Sequence, residues 1–73
     1  MENRIKKVMS NVFNINVDSI NNESSPDNIE NWDSLKHMNL IVALEEEFRI
    51  EFDDEEIVDS MNYALILNIL SSK

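Results

Sequence analysis

The residue best placed to do chemistry in this sequence is Ser34, in Asp33-Ser34-Leu35 at the head of an apolar, acid-studded segment that runs to Arg49. A serine at a helix start lies in the positive end of the helix dipole, a local field that suits a phosphate group. The single histidine, His37, follows three residues later. That spacing puts it about 60° round the helix axis, close enough to touch. A hydrolase built on this pair would also need a group to orient the imidazole and an oxyanion-binding loop. The chain contains no glycine to shape such a loop, and no third group is evident. His37 therefore reads as a structural residue at the rim of the core, partly buried. Ser34 reads as a serine that is modified and carried, not one that attacks a substrate.

The other chemistry-bearing clusters point to bland roles. Asp53-Asp54-Glu55-Glu56 gathers four carboxylates, but a calcium loop needs oxygen ligands at alternating positions and a glycine at its sharp turn. The run reads as a solvated helix start, and no metal site is expected. Trp32 stands just before the capped serine and is expected to staple the preceding loop against the helix body. The absence of cysteine excludes a disulfide framework and a thiolate zinc site. Any thiol chemistry must come from an added group.

These residues need helices to hold them. Ile5, Val8, Met9, Val12 and Phe13 fall on one face, about 140° wide, of a helix over Glu2–Phe13. Residues 14–32 carry no period, are rich in Asn, Ser and Asp, and contain the only proline, Pro26. So long a connection needs pins. Val17, Ile20 and Ile29 are spaced to serve, and a short helical turn fits within it.

The second helix spans Ser34 to about Phe48, with Asp33 as its N-cap. His37, Leu40, Ile41, Leu44 and Phe48 form its wide stripe toward the core. Leu35, Met38 and Val42 form a narrower patch nearer Ser34, with Glu45 and Glu46 one turn further on. An apolar patch rimmed by carboxylates fits a docking face for a basic partner. It also fits a surface that completes the core against a neighbouring helix. Asp53 and Glu56 have capping-box spacing at the start of a short third helix, with Ile57 and Val58 as its apolar contact. The last helix starts near Ser60 or Asn62. Tyr63, Ile66, Leu67 and Leu70 share one face, and Leu65 and Ile69 add apolar surface elsewhere, so it should be sandwiched between neighbours.

Composition narrows the function classes. Seventy-three residues with 15 acids and 6 lysines and arginines give a net charge of −9. Nucleic-acid phosphates would be repelled, whereas basic protein surfaces would be met fast and in a salt-sensitive way. An apolar content of 42% belongs to a folded chain. No run reaches the roughly 18–20 apolar residues of a membrane span, and no apolar signal-peptide run opens the sequence. The expectation is one domain over 1–73, cytoplasmic by default.

Asp33-Ser34-Leu35, Val42-Ala43-Leu44-Glu45-Glu46-Glu47-Phe48, Ile50 and Asp53-Asp54-Glu55-Glu56 together closely resemble the acyl carrier protein family. Ile5-Lys6-Lys7-Val8 and Asn21-Asn22 also look like the family, so the likeness covers essentially the whole chain. The resemblance implies an all-α four-helix bundle with a long first loop and a short third helix. It implies that Ser34, flanked by Asp33 and Leu35, receives a 4′-phosphopantetheine from a holo-acyl-carrier synthase that consumes coenzyme A. The arm's thiol would carry an acyl or aminoacyl group as a thioester between ligases, synthases and transferases with basic docking surfaces. An acyl chain slipping between the helices would meet Phe48, Ile57, Tyr63 and Leu67.

The sequence also departs from the family's fatty-acid members. Glu30-Asn31-Trp32 replaces the glycine shortly before Asp-Ser-Leu, and Lys36, His37 and Asn39 stand where acids are frequent. Two or three charges of the docking face are thereby neutralised or reversed. The Trp-Asp-Ser-Leu form looks more like free-standing carriers of specialised pathways, among them polyketide, nonribosomal-peptide and polysaccharide-modifying systems. Two rival readings keep the fold. One is an interaction module that works without a prosthetic group, and the other is an aminoacyl or peptidyl carrier. The intact Asp33-Ser34-Leu35 favours a carrier over the first.

Overall fold

A computed structural model describes all 73 residues. Helix α1 spans Glu2–Phe13, α2 spans Ser34–Phe48, α3 spans Asp54–Asp59 and α4 spans Tyr63–Ser71. A single 3-10 turn, Val17–Ser19, interrupts the long first connection. The chain is all-α and forms a four-helix bundle with a long first loop and a short third helix, as the family resemblance implies.

The helix ends follow from side-chain chemistry. Asp33 accepts the Lys36 N–H at 2.8 Å and starts α2. Asp53 accepts the Glu56 N–H at 2.8 Å while the Glu56 carboxylate accepts the Asp53 N–H at 3.1 Å, a complete capping box. Asn62 accepts the Leu65 N–H at 2.8 Å and opens α4. With no glycine available, the left-handed residues that end α1 and α2 are Asn14, at φ 56°, and Arg49, at φ 55°. Asparagine tolerates that region, whereas arginine is strained there.

Helices α1 and α2 run antiparallel. Arg4, at the start of α1, donates to the Glu47 carboxylate at 2.9 Å and to the Glu47 carbonyl at 2.7 Å, near the end of α2. At the opposite end, the Lys36 ammonium donates to the Val12 carbonyl at 3.4 Å. Ile5, Val8, Met9 and Phe13 of α1 meet Leu40, Ile41 and Leu44 of α2 and Tyr63, Ile66 and Leu70 of α4 in one core. Phe52, from the α2–α3 connection, joins them.

The long loop is pinned as its spacing requires, with one exception. Ile20, Ile29 and Trp32 are buried, but Val17 is exposed. Trp32 packs on Phe13 with ring centroids 4.9 Å apart. The remaining pins are polar. Asn31 donates to the terminal carbonyl of α1 at Phe13, 2.9 Å away, and the Ser24 carbonyl accepts the Tyr63 N–H at 3.0 Å. The second contact satisfies a first-turn donor that α4 cannot satisfy itself.

Two apolar expectations are corrected. Val58 is 70% exposed, because a six-residue helix has room for one inward apolar line and half-buried Ile57 takes it. Helix α4 is covered less completely than its sequence suggests, since Leu65 is exposed and only Ile69 of the extra pair packs against the core.

Candidate functional site

Ser34 is the first residue of α2, directly after the cap. The cap decides the site's electrostatics. Asp33 engages one first-turn donor, Lys36, and no acid lies within the first turn to compete for the rest. The Ser34 side chain is exposed, and its hydroxyl takes no hydrogen bond from the chain. A free hydroxyl on a helix's positive end, open to solvent, suits an appended phosphodiester in both charge and access.

His37 does not act on this hydroxyl. Its side chain is buried, deeper than the core rim where its helical position suggests, and both ring nitrogens are engaged. The Trp32 indole N–H can only donate, so Nδ1, 3.1 Å away, is the acceptor. The ring proton therefore sits on Nε2 and donates to the Ile57 carbonyl at 2.8 Å. Ser60, fully buried, donates to the same carbonyl at 2.9 Å. Sequence reasoning missed Ser60 and the polar tie between His37 and Ile57, which are twenty residues apart and share no motif. Trp32 does staple the loop, to α2 through its indole N–H bond to His37 and to α1 through its ring contact with Phe13.

Leu35, Met38 and Val42 are all exposed, with Leu35 at 72%. They do not complete the core. The two glutamates beyond them differ. Glu46 is exposed, whereas half-buried Glu45 accepts the Phe52 N–H at 2.9 Å and so braces the next loop. The expected charge reversals after Leu35 also shrink. Lys36 bends back to the end of α1 and His37 is buried, so Asn39 alone of the three stays fully exposed.

Phe48, Ile57, Tyr63 and Leu67 do not enclose a cavity. Tyr63 is fully buried, and the other three are half-buried against the core. The two hollows of the structure lie elsewhere. One is a polar recess within the long loop, between Ile15 and Asn31, and the other is a shallow site on the outer face of α3 at Asp54, Glu55, Val58 and Asp59.

The Tyr63 hydroxyl is buried without a hydrogen-bond partner. Burial, with a smaller contribution from the nearby Glu2 carboxylate, pushes this phenol above its ordinary value. Glu56 moves the other way. Its bond from the Asp53 N–H, helped by the Lys73 ammonium at 2.9 Å, holds its carboxyl below the usual value. No group of histidines and carboxylates is arranged to hold a metal ion, and no helix is long and apolar enough to cross a membrane.

Fold and site together define a small acidic helical bundle that displays one unengaged serine at the head of its second helix. An acyl carrier protein of Buchnera aphidicola subsp. Schizaphis graminum (strain Sg) is 47% identical over 57 residues, covering 77% of this chain and 71% of that protein. No family model matches the sequence. The chain belongs to the acyl carrier protein family.

Proposed function

We propose that Ser34 is the attachment point of a 4′-phosphopantetheine arm taken from coenzyme A by a holo-acyl-carrier synthase. When attached, the arm supplies a terminal thiol that holds an acyl or aminoacyl group as a thioester. The observation that carries this reading is the exposed, unbonded Ser34 hydroxyl at the first position of a capped fifteen-residue helix. In the transfer, Ser34 Oγ would bond to the phosphorus that carries the pantetheine, and the pyrophosphate P–O bond of coenzyme A would break. Adenosine 3′,5′-bisphosphate would leave, and the hydroxyl proton would pass to a base of the synthase. Asp33 keeps the helix start formed, and the first-turn N–H groups favour the new negative charge.

Leu35, Met38 and Val42, with Glu46 at their edge, form the surface that meets the synthase and the acyl-transferring enzymes. Desolvated apolar contacts supply affinity there, and the net charge of −9 draws basic partners. Glu45 supports this surface from behind by holding the Phe52 loop. Phe48, Ile57, Tyr63 and Leu67 would line an acyl chain only after the helices part. The carrier works as a cytoplasmic monomer in a specialised fatty-acid, polyketide or similar biosynthetic pathway.

The test is to incubate the purified chain with coenzyme A and a promiscuous holo-synthase and then weigh it. One phosphopantetheine should be added to the wild type and none to Ser34→Ala. An unchanged wild-type mass, or a gain that persists in Ser34→Ala, rejects the attachment and favours an interaction module that works without a prosthetic group.

A further inference from the structure

The polar contacts around His37 cross three elements. Trp32 closes the long loop, His37 lies one turn into α2, Ile57 lies in α3, and Ser60 follows α3. Trp32, His37 and Ser60 are each at most 5% exposed. The Trp32 and His37 ring planes lie 23° apart, an orientation that suits an in-plane bond from the indole N–H to Nδ1. The Ile57 carbonyl belongs to the last four of α3, which the helix leaves without partners. His37 and Ser60 both supply it, and Ser60 Oγ also stands 3.4 Å from His37 Nε2.

A helix of six residues does not hold itself in water, so the placement of α3 must come from its contacts. A buried, fully paired polar chain fixes one arrangement of the elements that it joins. Val58, next to Ile57, carries the largest exposed apolar side chain of α3, between Glu55 and Asp59. The position of this acidic and apolar surface relative to Ser34 is thus set through His37, one helical turn beyond the serine.

The geometry points to His37 as a positioning residue for the reaction proposed above. It ties α3 to the Ser34 turn so that one partner enzyme meets the Leu35–Met38 strip and Val58 together. The inference rests on the carrier reading and extends it, because it gives a specificity role to a buried side chain that touches neither the partner nor the arm. Trp32 selects the tautomer that makes the tie, since only a ring with a bare Nδ1 can accept from the indole and present Nε2–H to α3.

The experiment uses the full chain as wild type, His37→Ala, His37→Gln and Trp32→Phe. Nitrogen NMR of the labelled imidazole should find Nδ1 bare and Nε2 protonated in the wild type. In Trp32→Phe, which keeps a ring against Phe13 and removes the donor, the two nitrogens should move toward their exchange average. Amide exchange in α3 of His37→Ala should speed by about tenfold relative to α1, the effect of one lost hydrogen bond. Under saturating coenzyme A, the KM of the holo-synthase for His37→Ala should rise by about tenfold, with kcat held within about twofold. His37→Gln retains a donor toward Ile57 and should recover part of that loss.

A wild-type proton on Nδ1, or α3 exchange unchanged by His37→Ala, overturns the tie. Faster α3 exchange with an unchanged KM overturns its service to the partner. Should His37→Ala fail to fold, the same readouts on Trp32→Phe and His37→Gln decide. A wild type that takes no arm removes the carrier reading, and with it the service to a partner; the imidazole and exchange data then judge the tie alone.

Discussion

Glu45 of α2 and Phe52 of the following loop share one hydrogen bond: the carboxylate accepts the Phe52 backbone N–H at 2.9 Å. The bond separates two adjacent acids that look alike in sequence. Glu45 holds the loop that delivers Phe52, 7% exposed, into the core. Glu46, one residue on, faces solvent.

Lysine at these two positions should therefore have opposite consequences. Glu45→Lys removes the acceptor of a partly buried N–H and should lower stability by about 1–3 kcal/mol, read in urea unfolding. Glu46→Lys should unfold like the parent within about 0.5 kcal/mol. It should instead slow arm transfer by the holo-synthase, with most of the loss at low salt and little at high salt. Equal transfer rates for Glu46→Lys and parent at every ionic strength would remove Glu46 from the docking surface.

Arg49 ends α2 with φ at 55° and ψ at 52°, its N–H donating to the Glu45 carbonyl. A side chain with a Cβ is strained in that region, and glycine is not. Arg49→Gly should raise stability by roughly 0.5–1 kcal/mol, the net of relieved strain and the looser unfolded chain. In a domain of this size that is about 2–8 °C in Tm. Asn14→Gly, at the equivalent place after α1, should gain less, because asparagine already tolerates the left-handed region. Calorimetry of the two variants gives the comparison, and an equal gain at both sites would contradict the strain at Arg49.

Helix boundaries were legible because apolar spacing and capping residues are local. Asp33, Asp53 and Glu56 act as their positions in the sequence predict. The unread parts are non-local and polar. Ser24 is buried because its hydroxyl accepts the Asn21 N–H and its carbonyl meets α4. His37 is buried because an indole and a carbonyl from two other elements satisfy its ring. Ser24 lies on no apolar period, so hydropathy carries no trace of it, whereas His37 falls on the core stripe of α2 and only its partners in the loop and α3 are absent from the pattern. Lys36 reads as a surface charge yet serves the α1 terminus, because a long aliphatic stem lets an ammonium reach past its own helix. At the site, Ser34 and the grouping of Leu35, Met38 and Val42 follow from the helical wheel, whereas the exposure of that group and the division of labour between Glu45 and Glu46 depend on neighbouring elements that the wheel does not contain.

Tyr63 buries its hydroxyl without a partner, an arrangement that destabilises the fold relative to a ring without the oxygen. Tyr63→Phe keeps the packing and should be neutral or stabilising by up to about 1 kcal/mol. Tyr63 is also the chain's single tyrosine, so ultraviolet absorbance follows its ionisation alone. The folded-state value is raised. The neutral hydroxyl's advantage is thus complete below the unfolded phenol's value of about 10 and is lost as pH climbs through the folded one. Absorbance should rise later in folded protein than in urea, and a coincident rise would argue against the buried environment.

Glu56 sets the acid limb. Its carboxylate accepts the Asp53 N–H and pairs with Lys73, and the folded-state value is lowered. A lowered carboxyl stabilises the fold fully above its unfolded value, near 4.3, and loses that contribution as pH falls through the lower folded value. Glu56→Gln keeps an oxygen for the Asp53 N–H but gives up the charge. Its Tm should lie below the parent's at neutral pH, and the gap should close as the solution is acidified below about pH 4. Because Glu56 is largely screened by solvent, the gap should be small and should shrink further in salt. A gap that persists unchanged at low pH would mean that glutamine disturbs the α3 cap by its shape, and that the carboxylate's charge contributes nothing there.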